Sequence, residues 1–133
     1  ERWLYGKLAG DATLTALIGG AVSPRLYSDL APAGAAYPMV VFAALSGVPV
    51  AGVGPAIIMW NEIYAVKTIG QGVPATSLET IADRIRTVLQ AASGSVTGGA
   101  VVACVAQGRA RLTEIVEGVA YRQLIQTFRI YSQ

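Results

Sequence analysis

Between Asp29 and Glu62 the chain carries no charged residue, yet this stretch is broken by Pro32, Pro38, Pro49 and Pro55 and by Gly34, Gly47, Gly52 and Gly54. A segment this long could cross a bilayer, but a spanning helix needs about 18 or more uninterrupted apolar residues, and the punctuation leaves none. Extended strands joined by turns are what it can form. Residues 37–45 read as one strand, since Pro38 is tolerated at its start and Met39, Val40, Val41 and Phe42 make a short buried-type run. Residues 46–55 read as a Gly/Pro-rich loop that carries Val48, Val50 and Val53. Residues 56–69 form the return strand, with Ile57, Met59, Ile63 and Ala65 on one face and Trp60, Glu62, Tyr64 and Val66 on the other.

The clearest single element is a helix over residues 76–92. Leu78, Ile81, Ala82, Ile85, Val88 and Leu89 recur at helical spacing, while Glu79, Asp83, Arg84, Arg86 and Gln90 fill the opposite side. Thr76 and Glu79 have the spacing of a capping box, with Pro74 upstream and Gly94 beyond the end. Two short helices are expected before residue 19, because Gly10 stops one apolar repeat and Asp11 is placed to cap the next. Residues 23–36 read as a connector. After the main helix come a polar loop at 93–99, an apolar strand at 100–107 holding Val102 and Cys104, and strands at 110–115 and 119–131. The expected class is α+β: a mostly antiparallel sheet, one main amphipathic helix packed on a face, and short N-terminal helices. A length of 133 residues suits a single domain over 1–133 with one core.

Composition limits the chemistry. The sequence has no histidine and one cysteine, which excludes histidine general-base catalysis, Ser/His and Cys/His pairs, histidine-ligated zinc and an internal disulfide framework. Cys104 has only aliphatic neighbours in sequence and reads as an inert core thiol. Gly52-Val53-Gly54 lacks the third glycine and the following helix of a phosphate loop, so it reads as a turn. The eight acids offer no pair with a nucleophile and an orienting group beside it. No cofactor is implied. Ten Lys and Arg against eight acids leave +2 with no basic run, which argues against a nucleic-acid grip built on many phosphate contacts, and no sequence-specific nucleic-acid partner is expected. The opening Glu1-Arg2-Trp3-Leu4-Tyr5 does not read as a secretory signal, and no membrane partner is expected.

Charged residues make up only 14% of the chain against about 25% in a typical domain, so apolar surface should be left for a partner to cover. Arg109 and Arg111, two apart on a strand, share a face; they read as a salt-bridged edge or as a charged assembly contact. Glu79, Asp83 and Arg86 on the helix carry the same two readings. The uncharged loop with Val48, Val50 and Val53 is placed to reach a neighbouring subunit.

The order of these pieces resembles the tail terminator, or tail-completion, proteins of long-tailed bacteriophages. The resemblance is carried by Asp11-Ala12-Thr13-Leu14-Thr15-Ala16-Leu17-Ile18-Gly19, Arg25-Leu26-Tyr27, Tyr37-Pro38-Met39-Val40-Val41-Phe42, the helix from Leu78 to Leu89, and the closing Tyr121-Arg122-Gln123-Leu124-Ile125-Gln126-Thr127-Phe128-Arg129-Ile130-Tyr131. It implies a structural virion protein without catalysis: a ring of six copies that caps the head-proximal end of the tail tube and stops its polymerisation. Its partners would be further copies, the tail tube protein and a head-tail connector or stopper protein. It would be assembled in the host cytoplasm and end in the virion. Another neck component, a connector or stopper, is the alternative; a small ligand-binding domain or enzyme is a remoter one and would need a pocket of convergent polar groups.

Overall fold

A computed structural model describes residues 1–133 apart from Pro55 and Thr97. Two short helices, α1 (Arg2–Ala9) and α2 (Ala12–Leu17), precede strands β1 (Leu26–Ser28), β2 (Met39–Ala51) and β3 (Ile57–Gln71). Helix α3 (Ala75–Leu89) then leads to β4 (Gly94–Val96), β5 (Gly99–Val116) and β6 (Val119–Ser132). Among the described residues these make a six-stranded sheet in the order β1-β2-β3-β6-β5-β4. Only β1 and β2 run parallel; the other neighbours are antiparallel. The α+β class is as expected.

Helices cover one face of the sheet. Phe42, Tyr64, Val66, Cys104, Phe128 and Ile130 project from it and pack against Leu4, Leu8, Leu14, Ile18, Ile81, Ile85 and Leu89. Burying this surface is what drives the two layers together. Under α3 the sheet also presents Gln126, whose Nε2 donates to the Ala82 carbonyl at 3.0 Å. The connector before β2 lies on the opposite face, where residues 29–35 border a cleft of about 470 Å³ with Val41, Lys67 and Ile69.

Asp11 behaves as its position before an apolar repeat suggests. Its carboxylate accepts from the Leu14 amide at 2.9 Å and so caps α2. The same carboxylate takes both Nε and a terminal nitrogen of Arg84 at 2.8 and 2.7 Å, which ties α2 to α3. Arg84 is therefore not on a free face. The Arg84 hydrogen bonds, with the Leu14 amide and the guanidinium charge, outweigh burial and hold the Asp11 carboxyl below its ordinary range. Its ionised form favours the fold, so the contribution is complete above the unfolded-state pKa and fades as pH falls toward the folded-state value. Asp11→Ala is expected to cost about 0.5–2 kcal/mol for the lost cap, and more with the ion pair. Urea titrations at pH 7 and pH 3 check this: the wild-type advantage over the variant should shrink at the lower pH.

Several boundaries differ from the sequence expectation. Residues 46–51 are not a loop but the outer half of β2, continued past an irregularity between Ala44 and Ser46. The expected loop's last residue, Pro55, lies outside the described residues. Strands 100–107 and 110–115 are one strand, β5, kinked between Ala106 and Gly108. The connector and the polar loop each contain a three-residue strand, β1 and β4, paired with β2 and β5. Thr76 and Glu79 form no capping box: α3 starts at Ala75 behind Pro74, without a side-chain cap. Val102 is 48% exposed, whereas Val101 and Cys104 are buried. The register shift between Val101 and Ala103 turns Val102 out of the core.

Candidate functional site

Val22, Leu30, Val102 and Val105 are exposed singly or in the connector, while two groups of exposed apolar residues lie at corners of the sheet. On β2 and β3, beyond the part of the sheet under the helices, Leu45, Val48, Ile57, Ile58 and Trp60 are exposed, and Val53 stands fully free at the turn. Leu112, Ile115 and Val116 are exposed at the far end of β5. The ladder places these corners at opposite ends: Trp60 pairs with Ser132, while Gln71 pairs with Tyr121 next to the β5–β6 turn. They also lie toward opposite sides of the sheet, since β2 and β5 are separated by β3 and β6. The β5–β6 turn is tight because Glu117 and Gly118 both have positive φ, 52° and 80°, as a two-residue hairpin of the primed type requires.

The expected valine cluster therefore belongs to a strand and its turn. Val48 and Val50 lie on a paired strand rather than in a loop, and Val53 tips the hairpin. Sequence reading missed Leu45, Ile57, Ile58 and Trp60 at the same corner, where Ile57 and Trp60 register with Ala51 and Pro49 and so take the other face of the hairpin from Val48 and Val50, and it missed Leu112, Ile115 and Val116 at the opposite corner. The signal was present in the uncharged run from 30 to 61. What hid it was the glycine and proline punctuation, which reads as loop when strand pairing is unknown.

The charged candidates come together elsewhere, between α3 and β5. Arg109 donates to Asp83 at 2.7 Å, and Arg111 pairs with Glu79. Both arginines thus bend toward the helix, and the face they share is the helix side of the sheet. Arg86 borders a cleft of about 190 Å³ with Gln107, Arg109 and Gln126, and forms no salt bridge among the described residues. Exposed pairs of this kind stabilise by about 0–1 kcal/mol. Arg109→Glu is accordingly expected to leave the circular dichroism spectrum unchanged and to shift the thermal midpoint by only a few degrees. An unfolded variant would contradict that.

A cleft of about 870 Å³ runs beside α1 and includes Arg2, Lys7, Glu62, Tyr64, Ser95 and Ser132. Its most perturbed group is Tyr64, pushed up to about 12 by burial first and by the neighbouring carboxylates second. A phenol at that value stays protonated near neutrality and cannot act as a base there. Lys7 lies 5.9 Å from the centre of the Trp3 ring, a cation–π contact. Cys104 is buried and its thiol is pushed up to about 11 by burial, the opposite of activation. Among the described residues there is no cluster of Cys, Asp and Glu able to hold a metal ion. No helix among them is long and apolar enough to cross a membrane.

The family described as tail completion protein gp17 matches residues 2–132, nearly the whole chain. No curated protein sequence matches it. Among solved structures, a chain from the virion of a native gene transfer agent particle superposes with a TM-score of 0.67. The superposition covers 96% of this chain and 91% of that one at 17% identity, a likeness of fold.

Proposed function

The chain belongs to the tail completion protein gp17 family, and from that premise we propose that it is a structural, non-enzymatic subunit of a phage-like virion. It acts as one unit over 1–133, in a ring of about six copies that closes the head-proximal end of the tail tube. The ring stops tube polymerisation and offers its other side to a head-tail connector or stopper protein. Assembly takes place in the host cytoplasm. The observation that carries this reading is the pair of apolar corners at opposite ends and opposite sides of one sheet. A head-to-tail ring needs two different, mutually complementary patches on each copy, and closure keeps such contacts from growing into a fibre.

The test is electron microscopy of lysates from particles lacking this gene. Overlong tails detached from heads are the expected result. Tails of normal length beside DNA-filled heads would assign the protein to the connector side of the joint, and unaltered virions would overturn a structural role.

A further inference from the structure

The two strands that carry the apolar corners have unused backbone edges. In β2, the Val40 amide and the Phe42 carbonyl bond outward to Arg25 and Asp29, so β1 satisfies that half of the strand. In β5, the Cys104 carbonyl and the Ala106 amide bond outward to Ala91 and to the Gln90 side chain. Past each kink the outward row changes parity. Val116 and Val119 flank a two-residue turn and exchange both backbone bonds, so Arg109, Arg111, Thr113 and Ile115 direct their backbone groups away from β6. In β2, Gly47, Pro49 and Ala51 likewise face away from β3. Among the described residues, nothing pairs with either row.

We propose that the free edge of β5, residues 108–116, adds as a strand to the free edge of β2, residues 46–51, of a second copy of this chain. The strand order makes β2 and β5 antiparallel within one copy. Two copies related by rotation about an axis along the strands therefore bring the edges together antiparallel, the pairing that needs no reversal of either subunit. The edges lie at opposite ends of the sheet, so the strands must tilt against the ring axis, and a closed ring of strands requires such a stagger.

The side chains match as well. On the face away from the helices, Val48 and Val50 of one copy meet Leu112 of the next. On the helix face, β2 offers only Gly47, Pro49 and Ala51, which leaves room for the larger side chains of β5. Glu62 lies beside Gly47 on that face without a salt bridge among the described residues, opposite in charge to Arg109 and Arg111. Charged side chains ordinarily blunt an exposed edge. Here the pairs with Asp83 and Glu79 draw both guanidinium groups toward α3 and leave the β5 edge open.

This inference rests on the ring reading, and the test separates the two. The full chain is purified and its mass in solution followed by light scattering, alongside Thr113→Pro and the double variant Val48→Cys with Leu112→Cys. Proline at position 113 removes an outward donor without touching the β6 ladder, as Pro49 already does on β2. The expected results are a wild-type ring, a folded Thr113→Pro monomer, and a ladder of disulfide-linked multimers from the oxidised double variant. A wild-type ring with no cross-links and an unchanged Thr113→Pro ring would overturn strand addition and leave the ring reading standing. Cross-linked dimers from Leu112→Cys alone would assign the contact to two β5 edges and overturn the head-to-tail pairing. A wild-type chain that stays monomeric at every concentration, together with no cross-linked multimer from the oxidised double variant, would overturn both.

Discussion

Cys104→Asp is expected to unfold the protein at neutral pH, while Val102→Asp, two residues away on the same strand, leaves it folded. Cys104 is completely buried beneath the helices, and burial alone raises its thiol to about 11. A carboxylate there would be desolvated without a partner, a penalty of several kcal/mol or more. Total stability for a domain of this size is only about 5–15 kcal/mol. Val102 sits at the irregularity in β5 with nearly half its surface in water, so its substitution should fall within the range of surface changes, about ±0.5 kcal/mol. Circular dichroism and urea unfolding of both variants check the contrast. A folded Cys104→Asp, or an unfolded Val102→Asp, would mean that Val102 and not Cys104 faces the core.

The second large effect concerns assembly. Replacing Val48 and Ile58 by Asp together should leave the subunit's unfolding midpoint close to wild type, because both side chains are more than half exposed and lie beyond the packed core. The same double variant should fail to complement a deletion of the gene, giving tails no different from the deletion. Two carboxylates on a surface that must be desolvated by a neighbour cannot be paired by any group of this chain on β2 or β3, where the nearest charge is the acid Glu62. Normal particle yield from the variant would mean that this corner stays in water in the virion.

How far the fold could be read in advance varies by element. Helix α3 was legible because Leu78, Ile81, Ile85 and Leu89 repeat at a spacing that only a helix brings to one side, and all four are buried. The Asp11 cap was legible for the same local reason: a short acceptor before an apolar repeat meets the free amides of the first turn. The Thr76–Glu79 capping box has the right spacing and does not form. Glu79 goes instead to Arg111, thirty-two positions away in sequence, a competition that no local window contains.

The site was legible in kind but not in extent. Val48, Val50 and Val53 stood out because nothing charged surrounds them, yet Gly47 and Pro49 made their segment look like loop. Proline is excluded from a central strand and tolerated on an edge, where its missing amide faces away from the neighbour. Whether β2 is central or an edge past residue 45 depends on how far β1 runs beside it, and β1 pairs only with Val40, Val41 and Phe42. The strands β1 and β4 are three residues each, too short for any alternation to register, and exist because a partner strand is already in place.

The sequence by itself determined what is local. It set the apolar periods of α3, β3 and β6, the cap at Asp11, the absence of histidine chemistry, and the excess of apolar residues over charge that calls for a partner. Those properties reside in neighbours a few positions apart, and a short stretch of chain carries them in any context. The tertiary structure alone decided which strands end as edges, which side of β5 holds Val102, and that the two uncovered apolar patches lie at opposite corners of one sheet. Edges and corners are properties of strand order, and strand order is set by which pairings bury the most surface across the whole chain.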